Sequence, residues 1–144
     1  MEKSRKHLKT NSIVILILTF ATILNLLSAL IELNRVAIPI DAPENTLIIT
    51  KIIIIIVSTV ILLPQIYIGI KGLKVAYKPD DSKSHIVVAT ILLVLTVLGT
   101  ISPVVAVIKQ QDVWENVRTL LYSLVEISVF YDFIKSAKAV ASGK

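Results

Sequence analysis

The sequence predicts an all-α integral membrane protein, a bundle of four transmembrane helices. Four long apolar runs occupy most of the 144 residues, at positions 13–33, 52–70, 86–108 and 113–134. Each run has about 20 residues, the length at which a helix rising about 1.5 Å per residue crosses a bilayer core. A helix also satisfies its own backbone hydrogen bonds, as lipid requires. With flanking residues included, we predict transmembrane spans at about residues 12–33, 43–71, 85–108 and 113–135.

Composition supports this class and argues against an enzyme. Hydrophobic residues make up 55% of the chain and charged residues 17%, whereas soluble domains have about 25% charged residues. The segments between the spans are too short for a separate domain, which needs about 50 residues. We therefore expect residues 1–144 to form a single membrane domain without a soluble catalytic unit. The absence of Cys excludes disulfides and thiolate chemistry.

The first apolar run has to be compared with a secretory signal peptide, because a basic segment precedes it. Its apolar stretch is longer than the 7 to 15 residues or so of a signal core. Ser28-Ala29-Leu30 also matches an A-x-A cleavage site poorly. We therefore expect this run to remain in the protein as the first span.

The positions of the basic residues predict the orientation. Of the 15 Lys and Arg residues, eleven lie on the side of the two termini and the middle connection, and four lie on the opposite side. The eleven are Lys3, Arg5, Lys6, Lys9, Lys71, Lys74, Lys78, Lys83, Lys135, Lys138 and Lys144, and the four are Arg35, Lys51, Lys109 and Arg118. Because short cytoplasmic loops carry the excess of Lys and Arg, both termini should be cytoplasmic. The net charge of +5 then follows from topology, and we expect no nucleic-acid binding.

The pattern Asp-x-x-Glu-Asn begins the second and fourth spans. It occurs at residues 41–45 and 112–116. An Asp N-cap with Glu three residues later resembles a capping box, so we expect the two helices to begin there. The repeated pattern leaves open an internal duplication into two parallel helical-hairpin repeats. The alternative is that both helices simply use the same capping residues.

A basic face follows the second span. Lys71, Lys74 and Lys78 have helical spacing, so we expect the helix to continue beyond the membrane with these residues on one side. Such a face suits anionic lipid headgroups or a partner protein. Lysine side chains that reach for the membrane surface would give the same pattern without any specific partner.

Glu126 is the most informative polar residue within the spans, because ionisable groups are costly in lipid. It lies about nine residues before Lys135, hence roughly 13 Å inside the predicted cytoplasmic end. Arg118 and Tyr122 precede it at intervals of four, so all three share one side of the fourth helix. We expect this side to face the bundle.

Depth counting predicts a polar layer around Glu126. Its members are Asn25, Thr22, Thr96, Tyr122 and Glu126, with Gln65 closer to the cytoplasm. One interpretation is a protonatable or cation-binding centre. The other is interhelical hydrogen bonding, within the chain or with a second subunit, worth about 0.6 to 2 kcal/mol per bond.

Other features predict helix packing. The segment 99–103, Gly-Thr-Ile-Ser-Pro, is typical of a closely packed, bent helix. Ala21, Ser28 and Ala29 form a small-residue face on the first helix, suited to contact with another helix. His7 and His85 are expected at the membrane surface, without a ligand set for a metal, and no cofactor motif is present.

These observations favour a small, non-enzymatic, multi-pass protein of the cell membrane. We expect an accessory, regulatory or immunity-type subunit that binds another membrane protein. The alternative is a small oligomeric transporter or channel that uses Glu126, since four short helices rarely enclose an aqueous path alone. The abundance of Ile and Lys suggests a bacterial origin.

Overall fold

The computed structural model describes residues 2–33, 45–78 and 83–143, and it is helical throughout most of these ranges. The helices are α1 (Glu2–Leu33), α2 (Thr46–Tyr77), α3 (Ser84–Gly99), α4 (Ile101–Ile108) and α5 (Val113–Ala141). Three segments are long and apolar enough to cross a membrane: α1, α2, and α3 taken together with α4. Helix α5 is not among them, because charged residues recur along its length, at Glu115, Arg118, Glu126, Asp132, Lys135 and Lys138.

The helices extend beyond the predicted apolar spans at one end of the bundle. Helix α1 begins at Glu2, α2 continues to Tyr77 and α5 continues to Ala141. These polar extensions still contain apolar residues at helical spacing. Leu8 and Val75 are 0% and 2% exposed, and Val140 is also buried. Burial of these side chains against one another explains why helical structure persists beyond the apolar runs.

Of the two predicted capping boxes, the second is not formed. Residues 41–44, which hold the first, lie outside the described residues, and α2 begins at Thr46 instead of about residue 43. At the second, Asp112 occupies the N-cap position but is left-handed, with φ 39° and ψ 49°, and its side chain makes no cap hydrogen bond. An N-cap side chain reaches the helix from an extended backbone, which this conformation precludes. Asn116 Nδ2 instead donates to the carbonyls of Gln111 and Asp112, at 3.0 and 3.1 Å.

The predicted third span is helical from Ser84 to Ile108, with an interruption at Thr100 that divides it into two helices. Helix α3 ends at Gly99 and α4 begins at Ile101. Pro103 has no N–H to donate to the carbonyl of Gly99, and its ring crowds that carbonyl. Thr100 Oγ1 donates to the carbonyl of Val97 at 2.7 Å at the interruption. The helix is therefore interrupted in the segment where a bend was predicted. Pro103 is buried, but Gly99 is not closely packed, because a Cβ on Gly99 would meet no atom within 4 Å.

The long helices form a ring in the order α1, α2, α3, α5. Helix α1 packs on α2 and α5, and α3 also packs on α2 and α5. Helix α4 packs on α5 and α3 but, within the described part of the chain, not on α2. A gap therefore separates α2 from α4.

Almost all buried side chains lie in one half of the bundle, which we call the closed half. It contains the first part of α1 and α3 and the last part of α2 and α5. Its apolar core consists of Leu8, Ile15, Ile68, Val75, Ala76, Ile86, Ala89, Leu92, Phe130, Phe133, Ile134, Ala137 and Val140. The other half, the open half, contains the gap between α2 and α4.

Two glycines allow α2 to approach its neighbours in the closed half. A Cβ on Gly69 would lie 2.6 Å from Leu16 Cδ2. A Cβ on Gly72 would overlap Ser12 Oγ and the Phe133 ring. We predicted a small-residue contact face on α1, whereas these close contacts are made by the glycines of α2.

Candidate functional site

A cavity lies between α2, α3 and α5 at the junction of the closed and open halves. Its volume is about 610 Å³. Apolar side chains form most of its wall, and a few polar groups join them. The lining residues are Thr22, Ile56, Val57, Val60, Ile61, Gln65, Leu92, Leu95, Thr96, Gly99, Tyr122, Ser123 and Glu126.

Gln65 links three helices through its amide group. It is 4% exposed, and its Oε1 accepts a hydrogen bond from Thr19 Oγ1 at 3.2 Å. The Gln65 side chain also bonds to the Glu126 carboxyl group. Because Oε1 already serves Thr19, the amide N–H groups are the donors to a Glu126 carboxylate. The chain from Thr19 through Gln65 to Glu126 therefore joins α1, α2 and α5.

A second polar contact joins α1 directly to α5. Thr22 Oγ1 and the Tyr122 hydroxyl are 3.0 Å apart. The Tyr122 hydroxyl can donate its single proton either to Thr22 Oγ1 or to the carbonyl of Leu18, which is 3.4 Å away. Thr22 can use its own proton for the carbonyl of Leu18, 3.0 Å away. These contacts place the Tyr122 hydroxyl beside α1 at the cavity wall.

The structure brings together five of the six residues of the predicted polar layer. Glu126, Tyr122, Thr22, Thr96 and Gln65 all line the cavity. Thr96 takes part without bridging helices, because its Oγ1 donates to the carbonyl of Leu92 in its own helix, at 2.9 Å.

Asn25 is not part of this layer. Its side chain is exposed, and it does not line the cavity. Depth alone had placed it beside Tyr122. Three residues of α-helix turn through about 300°, so Asn25 lies about 60° further around α1 than Thr22. Thr22 is already only half-buried, so this rotation moves Asn25 away from the bundle.

Thr19 is a site residue that the sequence analysis missed. It is 2% exposed and lies one turn from Thr22. The depth of Thr19 along its predicted span, similar to that of Gln65, could have indicated the contact. Several other hydroxyl residues of α1 lie at similar intervals along the helix, however, and only the packing of the helices shows which of them meets Gln65.

The basic face lies away from the cavity, at the end of α2. Lys74 and Lys78 are exposed, and Lys71 is half-buried. Lys78 ends the helix as its C-cap. Nearby, Lys9 Nζ lies 4.8 Å from the centre of the Tyr77 ring, a cation–π contact between α1 and α2.

His85 is buried, contrary to its predicted position at the membrane surface. It is 1% exposed, and its ring packs edge-on against Phe133 at 6.2 Å between ring centres. The polar start of α3 is thus folded into the closed half. His7 is exposed and borders a polar depression of about 380 Å³ between α1 and α5. No three His, Cys, Asp or Glu residues cluster for metal binding in the described ranges.

Comparison with known proteins identifies no relative. No protein-family model, curated protein sequence or solved structure matches this chain significantly.

Proposed function

We propose that the protein crosses the cell membrane of a bacterium four times, with both termini in the cytoplasm. Helix α5 would supply the fourth crossing. Its 29 residues exceed the length that a bilayer core requires, and it packs along α1 and α3. The excess of Lys and Arg at the closed half supports the orientation.

We further propose that the protein is a non-enzymatic accessory, regulatory or immunity-type subunit that binds another membrane protein. The observation that carries this proposal is the exposed polar flank of α1 in the open half. This flank consists of Ala21, Asn25, Ser28 and Glu32, spaced by four, three and four residues. The last three are exposed, and no hydrogen bond joins the Asn25 side chain to another described residue.

A polar flank at this depth favours contact with another helix. Asn25 lies roughly 12 Å from the end of α1 by the helical rise, well within a bilayer core. An amide facing lipid loses its water hydrogen bonds without replacement, which is costly. A neighbouring transmembrane helix restores these bonds, and Ala21 and Ser28 are small enough to allow its close approach.

Photo-crosslinking from α1 tests this proposal. A benzoylphenylalanine at position 28 should crosslink one membrane protein of defined mass in the native cell. The same group at position 27, an exposed site at nearly equal depth but about 100° around α1 from position 28, should not. Ser28→Leu should reduce co-purification of that protein, whereas Leu27→Phe should not. Equal crosslinking from both positions would contradict a partner on this flank, and a crosslink to a second copy alone would indicate self-association.

The cavity favours a second candidate function, a small oligomeric transporter or channel that uses Glu126. A carboxyl group in an intramembrane cavity can exchange a proton or a cation. Flux across vesicles containing the purified protein would test it. We expect Glu126→Gln to abolish such flux, while Asp132→Gln, an exposed carboxyl on the same helix, should leave it unchanged. The absence of flux under pH and cation gradients would remove this candidate.

A further inference from the structure

The cavity has the size and character of a small-molecule site. At about 610 Å³ it falls within the range of about 300 to 1,000 Å³ that is typical of such sites. Most of its wall is apolar, as in Val57, Val60 and Leu95. Its polar groups are concentrated towards the closed half, around Gln65 and Glu126.

Glu126 retains acceptor capacity that faces the cavity. A carboxylate can accept about four hydrogen bonds. Gln65 is the one side chain in the described part of the protein that bonds to it. Among the described lining residues there is no Lys, Arg or His. A ligand therefore meets one carboxyl group that has no cationic partner among the described lining residues.

The gap between α2 and α4 gives the cavity an opening. These helices do not pack on each other in the described ranges, and the lining residues Val57 and Val60 are more than half exposed. An apolar molecule dissolved in the bilayer can enter through this gap without crossing water.

We propose that the cavity binds an amphiphilic ammonium compound, an apolar molecule with one protonated amine. The amine donates to the Glu126 carboxylate beside Gln65, and the apolar body lies against α2 and α3. Charge complementarity selects a cation over an anion. The apolar wall selects an organic cation over a metal ion, which would need about six oxygen ligands.

This inference does not depend on the partner surface of α1, which lies on a different side of that helix. It requires binding and not transport. If the protein is a transporter, the ammonium compound is its proposed class of substrate. Binding of such a compound without flux would exclude the transporter function but would still support the proposed binding site.

Binding of naphthylmethylamine, compared with its neutral counterpart naphthylmethanol, tests the inference. The full-length protein is placed in nanodiscs of zwitterionic lipid, and calorimetry against empty nanodiscs corrects for partition into lipid. We expect saturable binding of the amine that is at least about tenfold tighter than that of the alcohol, since charge-assisted hydrogen bonds are about twice as strong as neutral ones. Glu126→Gln should reduce this preference to about twofold or less.

A cavity-filling variant tests the location independently of the carboxyl group. Leu95→Trp should abolish saturable binding of both compounds, because Leu95 lines the cavity. Leu98→Trp is the matched control, since Leu98 is exposed on the same helix and does not line the cavity. Circular dichroism and gel filtration establish that each variant is folded.

Three results would overturn the inference. They are equal binding of amine and alcohol, an unchanged preference in Glu126→Gln, and equal effects of Leu95→Trp and Leu98→Trp. If Glu126→Gln does not fold, the two tryptophan variants still decide the matter. A fourth contrary result would be that the purified protein binds neither compound saturably. The inference would also be overturned if, in addition, crosslinking from position 95 showed that a transmembrane helix occupies the cavity.

Discussion

Gln65 on α2 connects a polar residue of α1, Thr19, to one of α5, Glu126. It is nearly inaccessible, accepts a hydrogen bond from Thr19 and bonds to Glu126. An amide has both donors and an acceptor, so one side chain can serve partners on two other helices. Changes to either neighbour should therefore alter the stability of helix packing as well as any ligand affinity.

The first prediction concerns the partner of that amide. Glu126→Leu leaves the Gln65 N–H groups without their acceptor and should lower the free energy of unfolding by about 1 to 3 kcal/mol. Glu126→Gln retains an acceptor and should have a smaller effect. Thermal unfolding in one detergent measures both. Equal stability of the wild type and Glu126→Leu would show that the bond to Gln65 contributes nothing.

The second prediction concerns the hydroxyl contact between α1 and α5. Tyr122→Phe removes the bond to Thr22 and should destabilise the bundle by about 0.6 to 2 kcal/mol, the range for hydrogen bonds between membrane helices. Tyr131→Phe is the control, because Tyr131 is exposed on the same helix. Equal losses in the two variants would indicate a general effect of removing a tyrosine hydroxyl.

At the scale of the elements, the glycines of α2 and the proline of α4 have opposite effects on packing. Gly69 and Gly72 permit close approach where the closed half is densest. Pro103 separates α4 from α3 at the edge of the open half. The glycines thereby let α2 pack closely against α1 and α5. The proline prevents α3 and α4 from forming one continuous helix.

The third prediction concerns Gly72. Gly72→Ala places a methyl group against Ser12 and Phe133, and overpacking of this kind costs about 1 to 3 kcal/mol. Gly99→Ala provides the control, since its added methyl group meets no atom within 4 Å and alanine favours helix. Chemical or thermal unfolding should show a loss for the first variant alone. A loss of similar size at Gly99 would indicate that backbone freedom, rather than close packing, determines the effect.

The fourth prediction concerns Pro103. Pro103→Ala restores a donor for the carbonyl of Gly99, so α3 and α4 should join into one helix. Spin labels at the exposed positions 87 and 108 should then move apart, as measured by pulsed electron resonance. Pro64→Ala should leave this distance unchanged, because Pro64 lies within the continuous helix α2. An unchanged distance in Pro103→Ala would exclude the proline as the cause of the interruption.

At the scale of the whole molecule, the basic residues and the closed half lie at the same end of the bundle. The starts of α1 and α3 and the ends of α2 and α5 meet there. The open half has fewer basic residues and includes the polar flank of α1. The proposed orientation would place the dense packing at the cytoplasmic side and the gap in the outer leaflet.

The fifth prediction tests this orientation. Lys78→Cys and Gln111→Cys each introduce a single thiol at an exposed position of a chain without cysteine, at opposite ends of the bundle. An impermeant thiol reagent applied to intact cells should label position 111 and not position 78. After the cells are opened, both should react. Labelling of position 78 alone in intact cells would show that the orientation is reversed.

The length of the apolar runs was sufficient to predict the main helices, because a run of about 20 residues matches a helix that could cross a bilayer core. The extension of α2 to Tyr77 was predicted from the helical spacing of Lys71, Lys74 and Lys78. Those of α1 and α5 were not, since their burial depends on side chains from other segments. Depth counting placed Glu126, Gln65, Thr22, Tyr122 and Thr96 at one cavity. It failed for Asn25, because depth along a helix carries no information about rotation around it.

The pairing of α1 with α5 has a consequence for biosynthesis. Thr22 and Tyr122 are 100 residues apart, so α5 leaves the ribosome well after α1. At about 5 to 20 residues per second, α5 follows α1 by on the order of ten seconds. During that interval Thr19 can already meet Gln65 within the first helical hairpin, whereas Gln65 has no Glu126 to bond. In the proposed membrane topology, an insertion factor or chaperone that shields polar groups would therefore have to remain on the α1–α2 hairpin until α5 is inserted.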